Sequence, residues 1–396
     1  MSSSNVIVAF VGQNENGILR HLSRNLMDML KPFGVEGHVI DLNEPTWHDR
    51  FDSLWKQGIT MAWGHAGIGA KFEIEGKCFW DQAKIPFISI LADPPAWRPC
   101  NHNVTSGYVV NAYLYPEWLQ VQRRFIKARQ PSALVHGGLV PNPHRDDISW
   151  TERPRRMIFV KTGADPEQRR AAWSLMPPRW RTVMEDAAAA ALARPTGDIT
   201  DLVVDAAEAH DLVPEQRTEL LFSLMTEVDL YVRDTRSTAM TRALLDLPVD
   251  IYGRGWDHVS AEATRARFHP AFDADGLPRM YAETQFMLNT SPNFSSGVHE
   301  RVAYAMDARC CVVSDENDFM KREFEAIPTF FAVDPRDPDL RDRLHEIYHD
   351  RTDYTPLTQP ALDLTERMFS GERYMLSLLE LAHEVRMTAK LVEYRA

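Results

Sequence analysis

The sequence predicts an α/β protein of two Rossmann-like domains in tandem, and three observations predict it. Short, almost wholly apolar runs of strand length recur along the chain, as parallel strands buried on both faces require. Helix-like segments fall between them, which parallel strands need for their crossovers. The chain has 396 residues, enough for two domains, and its pattern stops at a Pro-rich stretch and then starts again.

Taken in order, the first half offers strands at residues 5–11, 37–42, 59–63, 86–92, 107–110 and 133–137, with helices at 19–30 and 116–127. The segment VPNPHRDDISWTERPR then carries no apolar period, so residues 141–155 read as a linker. Strand letters resume with MIFV at 157–160, followed by a helical section that includes an Ala-rich run of high helix propensity. Further strands are expected at 230–232, 249–252, 285–289, 310–314 and 329–333, and an amphipathic helix at 372–392 closes the chain. The layout is therefore residues 1–140, a linker, residues 156–370, and a final segment 371–396. Two such domains would face a central cleft, with ligands bound by loops at the carboxyl ends of the strands.

Composition excludes several classes. The chain is 44% hydrophobic and 25% charged, ordinary for a globular protein. Its net charge of -12 argues against nucleic acid and anionic membrane as partners. No apolar run approaches the roughly 20 residues of a membrane span. MSSSNVIVAFVG lacks a basic region before its apolar letters and reads as a first strand, not a signal peptide. Cys78, Cys100, Cys310 and Cys311 form no CxxC pair, so neither a zinc cluster nor a disulfide framework is expected, and the protein reads as cytoplasmic.

The segment NTSPNFSSGVHERVAYAMDARCCVVSDEND, residues 289–318, reads as strand, small-residue loop, helix and strand. Ser295, Ser296 and Gly297 precede a helix expected to start near Val298, whose exposed N–H groups would suit a phosphate. Alternatively, Ser295 or Ser296 simply caps that helix. His299, Glu300 and Arg301 crowd its first turn. Glu300 and Tyr304 share a face that would accept ribose hydroxyls, with Arg301 offsetting phosphate charge; the other reading is a solvated Glu–Arg pair.

Lys161, Thr162 and Gly163 follow a strand, as do Gly253, Arg254 and Gly255, whose glycines would let a ligand approach closely. In the first half, GQNENG supplies Gly12, Asn16 and Gly17 as acceptor or cleft residues. GHAGIG at 64–69 fits a dinucleotide loop only superficially, its glycines offset and its strand the wrong one, so no nicotinamide or flavin is expected. His65 is a candidate base or hydroxyl ligand. Asp93 is a candidate base toward an acceptor hydroxyl, or the cap of its own Asp-Pro-Pro turn. Asp273-Ala274-Asp275 has the letters of a metal motif but reads as a solvated turn, so no metal is expected.

YAETQFMLN, SSGVHERVAYAM and CCVVSDEN together resemble the nucleotide-sugar-binding half of GT-B glycosyltransferases, within them the spore-coat-maturation (CgeB-like) branch. VDIYGRGW at 249–256 and Asp93-Pro94-Pro95 resemble two further elements of that branch. The resemblance implies transfer of a sugar from a nucleoside-diphosphate donor, UDP-linked in the leading case, to a protein, glycan or small-molecule acceptor. It further implies Lys161 as a phosphate-binding cation, no cofactor, and a C-terminal helix that crosses back to the N-terminal domain. Ser296 and Tyr304 stand where many retaining members carry paired glutamates, and Arg309 replaces a family glycine. A sugar-nucleotide sensor or scaffold, or a sugar-nucleotide epimerase, would share the fold.

Overall fold

The computed structural model describes residues 6–13, 17–126, 130–213, 216–259 and 264–395. Asn16, expected at the acceptor side, lies outside them. The chain divides into two compact units, Met1–Val140 with Met368–Ala396, and Pro141–Arg367.

The first unit is built on a parallel sheet of β1 (Val6–Val11), β2 (Glu36–Asp41), β3 (Ile59–His65), β6 (Phe87–Leu91), β7 (Val109–Tyr113) and β8 (Ser132–Leu134). A small antiparallel hairpin, β4 (Glu73–Ile74) with β5 (Lys77–Cys78), interrupts the connection from β3 to β6. The strand order is β2-β1-β3-β6-β7-β8. Successive residues of β1 point to opposite faces, and both faces are buried. Ile7 and Ala9 pack with Met61, Trp63, Ile88 and Ile90 against Leu26 and Met27 of the Ile18–Asp28 helix. Val6, Val8 and Phe10 pack the other way, toward Leu54, Trp80 and Phe87. There Phe10 meets Phe51 and Phe72 edge-on at 5.5 and 5.1 Å.

The final helix, Gly371–Arg395, belongs to this first unit. Tyr374, Met375, Leu378, Leu381, Ala382 and Val385 place its apolar stripe on the β1–β3–β6 face. Leu139 and Ser370 bridge as short parallel backbone where the chain leaves and re-enters.

The second unit has β9 (Met157–Val160), β10 (Val249–Tyr252), β11 (Arg267–His269), β12 (Phe286–Asn289), β13 (Cys311–Ser314) and β14 (Phe330–Ala332), all parallel. Their order is β11-β10-β9-β12-β13-β14, the Rossmann arrangement, which reverses direction between β9 and β12.

Two expectations need correction, and one strand was not expected. Residues 230–232 are not a strand but lie in the 26-residue helix Thr218–Ala243. Leu221, Leu224, Met225, Val228 and Val232 are buried along it at helical spacing, so a long amphipathic period overrides a short apolar triplet. β11 escapes the sequence pattern because it is a three-residue edge strand, Arg-Phe-His, with a single apolar letter. Residues 141–155 are not a free linker. Trp150 is buried against Phe286 and Tyr354, and the Arg153 guanidinium donates to the carbonyls of Thr284 and Ala308 at 3.1 and 2.9 Å. The polar letters of that stretch satisfy buried backbone oxygens. Among the described residues, no helix is long and apolar enough to cross a membrane.

Leu378 is fully buried in the first unit's core. Leu378→Ala is expected to lower unfolding free energy by about 2–5 kcal/mol, read by urea denaturation. A loss below about 1 kcal/mol would mean that this helix is not docked on the sheet.

Candidate functional site

A sheet covered on both faces offers free backbone groups only beyond its strand ends, and most openly where strand order reverses. In the second unit that place lies beyond Val160 of β9 and Asn289 of β12.

The loops after β9 and β10 are laced together. Lys161 N–H donates to the Tyr252 carbonyl, Gly163 N–H to the Arg254 carbonyl (both 2.9 Å), and Trp256 Nε1–H to the Lys161 carbonyl at 3.0 Å. A Cβ on Gly253 would sit 2.2 Å from the Lys161 oxygen, and one on Gly255 would sit 2.1 Å from the Gly163 oxygen. Both glycines also have positive φ. Their role in the GRGW motif is thus loop-to-loop packing, where the sequence suggested close approach of a ligand. Arg254 is exposed at the tip.

The loop from Thr290 to Val298 is fixed from beneath. Buried Asp315, just past β13, accepts from Ser291 N–H at 2.6 Å and from the Thr196 hydroxyl at 2.8 Å. The Asn317 amide donates to the carbonyls of Phe294 and Gly297 at 3.1 and 2.9 Å. From the long helix, Arg236 donates to Asn293 Oδ1 at 2.8 Å, while the Asn293 amide donates to Asp229 Oδ1 at 3.0 Å. Ser295, Ser296 and Gly297 are left half-buried above this footing.

The helix that follows is Glu300–Asp307, two residues later than expected, and neither serine is its N-cap. His299 caps it, with Nδ1 accepting from Arg301 N–H at 3.2 Å. The Arg301 guanidinium also lies against both ring nitrogens, its Nε 3.2 Å from Nδ1 and its Nη2 3.2 Å from Nε2. Arg301 turns inward and its guanidinium donates to the Val160 carbonyl. Glu300 lies outward, half-exposed, 3.0 Å from the His299 ring, and Tyr304 is half-buried.

The site is cationic. Lys161, Arg301 and Arg233 act on one another electrostatically, and all three face His299. Burial, then Arg301 and Arg233, push the Lys161 ammonium down to about 7. The same causes hold the His299 imidazole well below its ordinary value. Burial raises the carboxyls of Asp234 and Asp315. Arg233, Asp234, Asp315 and Thr196 escaped the sequence reading; the first two sit on the helix that contains the misassigned triplet.

In the first unit, His65 ends β3 beside the point where that sheet reverses. It is 8% exposed, its Nε2 has no hydrogen-bond partner among the described residues, and burial pushes it down to about 4. Gly64 is required because a Cβ would fall 1.9 Å from the Ile68 carbonyl, which folds back over the strand. A Cβ on Gly12 would meet the Ile68 side chain at 3.5 Å, and Gly17, at φ 73°, precedes the Ile18–Asp28 helix without a side-chain cap. Asp93 is exposed, just past β6. Asp273 accepts from Asp275 N–H at 2.9 Å in an exposed turn. Among the described residues, no group of three His, Cys, Asp or Glu side chains is arranged to hold a metal.

These two sheets give the chain the GT-B fold, as solved structures bear out. An α-glucosyltransferase in complex with UDP-glucose and DNA containing an abasic site aligns over 96% of this chain and 100% of its own, at TM-score 0.54 and 8% identity. AviGT4, a glycosyltransferase involved in avilamycin A biosynthesis, aligns over 96% and 98%, at TM-score 0.50 and 13% identity. No protein-family model and no curated protein matches the sequence.

Burial makes stability depend on acid. His65 and His102 stay neutral in the fold to about pH 4, whereas both titrate near 6.5 when unfolded. The unfolded chain therefore binds more protons between those values, and stability falls as pH drops from 6.5 toward 4. Urea unfolding at pH 7 and pH 5 should differ by on the order of 1–2 kcal/mol per histidine, and His65→Gln and His102→Gln should each shrink the difference. An unchanged difference in both variants would place the acid sensitivity elsewhere.

Proposed function

We propose that the protein is a glycosyltransferase that binds a nucleoside-diphosphate sugar in its second unit and transfers the sugar to a hydroxyl or amide of a protein, glycan or small molecule. One observation carries the reading: Lys161, Arg301 and Arg233 converge at the reversal point of a Rossmann-ordered sheet, beside the start of the Glu300–Asp307 helix. Cations and helix N–H groups there suit a diphosphate and would offset the charge that develops on the leaving group without a metal. Glu300 and Tyr304 are assigned to ribose or sugar hydroxyls, and Ser295, Ser296 and Gly297 to the phosphates. Arg254 rims the nucleotide side.

We assign the acceptor to the first unit, at Gly12, Gly17, His65 and Asp93. The partnerless Nε2 of His65 supports contact with a hydroxyl. Asp93, exposed after β6, suits a base that takes the acceptor proton. The net charge of -12 supports an acceptor other than nucleic acid, although DNA accompanies the α-glucosyltransferase named above. The CgeB-like branch is part of this proposal, as is a cytoplasmic setting, which four free cysteines support.

Thermal shift against UDP, GDP, dTDP and CDP, with and without EDTA, tests the donor site. One nucleotide should raise Tm by several degrees, EDTA should not change it, and Arg301→Ala should reduce it. No shift with any of the four would remove nucleotide binding and the transferase with it. Asp93→Asn should retain the shift and lose transfer; full transfer would exclude Asp93 as the base.

A further inference from the structure

The end of β9 holds a lysine that the fold does not neutralise. Among the described residues, no carboxylate lies within ion-pair distance of Lys161 Nζ, although the side chain is half-buried. The acids that face it are engaged elsewhere. Asp234 accepts from Arg169 Nε at 2.9 Å, and Asp315 accepts from Ser291 and Thr196. Asp229 lies 2.9 Å from Arg233, and Glu300 lies against His299. Two guanidiniums face it instead, Arg301 from the start of the Glu300–Asp307 helix and Arg233 from the Thr218–Ala243 helix, with the neutral His299 ring beside them. Its own backbone is pinned on both sides by Tyr252 and Trp256, so the stem starts from a fixed point.

We propose, resting on the nucleotide-binding reading above, that Lys161 takes up a proton from solvent when a diphosphate binds, so that ligand affinity and lysine protonation are one linked event. An ammonium that is partly buried and crowded by two guanidiniums is disfavoured, and a diphosphate offsets this by supplying negative charge at that place. Free Lys161, brought down to about 7, is largely neutral at pH 8; bound, its amine returns to the charged form. The sign follows. Affinity is fullest below about pH 7 and falls as pH rises above it, because each binding event must then draw a proton from solution.

The test is titration calorimetry of the full chain with UDP and with inorganic pyrophosphate at pH 8, in buffers of different ionisation enthalpy. The second phosphate ionisation of UDP, near 6, is complete at that pH, so UDP contributes no uptake, and the proton count is read from UDP because pyrophosphate still carries a proton there. Wild type should take up most of a proton, roughly 0.9. Lys161→Arg should bind without uptake, since a guanidinium stays charged throughout. Binding without uptake in wild type, or equal uptake in Lys161→Arg, overturns the proposal and leaves nucleotide binding standing. A second measurement does not depend on the variant: wild-type affinity for UDP should weaken approaching tenfold between pH 7.5 and 8.5. A flat profile overturns the proposal. Pyrophosphate bound with uptake while UDP is not bound sustains the linkage and overturns the nucleotide reading; no binding of either probe overturns both.

Discussion

Covering both faces of a parallel sheet is the constraint from which this molecule's chemistry follows. β1, β3, β6, β9, β10, β12 and β13 are enclosed by helices or by their own crossovers, so no side chain in mid-strand can meet a ligand. What remains is the row of strand ends, where the chain must turn and where helix N-termini gather. The residues assigned to a function here lie within that row or one helical turn beyond it, except Arg233, which reaches in from the middle of the Thr218–Ala243 helix.

The second unit spends its buried polar groups on making one loop rigid. Asp315, Asn317, Asn293, Arg236 and Asp229 each hydrogen-bond the 290–297 loop or a residue that does. Arg236 also donates to the Ala191 carbonyl at 2.9 Å, tying the same network to the end of the Pro178–Leu192 helix. A satisfied buried network of this kind resists deformation because breaking any member strands its partner in a medium without water. The cations above it are therefore held close to one another against their mutual repulsion.

Much of this was legible in the letters. Strands buried on both faces announce themselves as apolar runs, and VIVAFV, MIFV and FMLN fall where the sequence put them. The segment around Ser295–Arg301 was visible because a strand, a small-residue loop and a helix follow in immediate succession. What the letters hid was long-range. The histidine cap of the helix could not be told from two adjacent serines, because the choice turns on which side chain reaches Arg301 N–H. Gly253 and Gly255 read as ligand glycines since the chain that fills their missing Cβ space lies about 90 residues earlier. Arg153 read as linker charge because its acceptors, Thr284 and Ala308, are distant in sequence.

The return of Gly371–Arg395 to the first unit sets the order in which the chain becomes whole. A ribosome releases all six strands of the first sheet before any strand of the second, yet the face of Ile7, Met61, Trp63 and Ile90 has only part of its cover, from the Ile18–Asp28 helix, until the Gly371–Arg395 helix emerges. The second unit, by contrast, is one continuous piece from Pro141 to Arg367 and has everything it needs by then. Synthesis runs first unit to second, while completion runs second to first. During that interval part of an apolar sheet face stands open on the nascent chain.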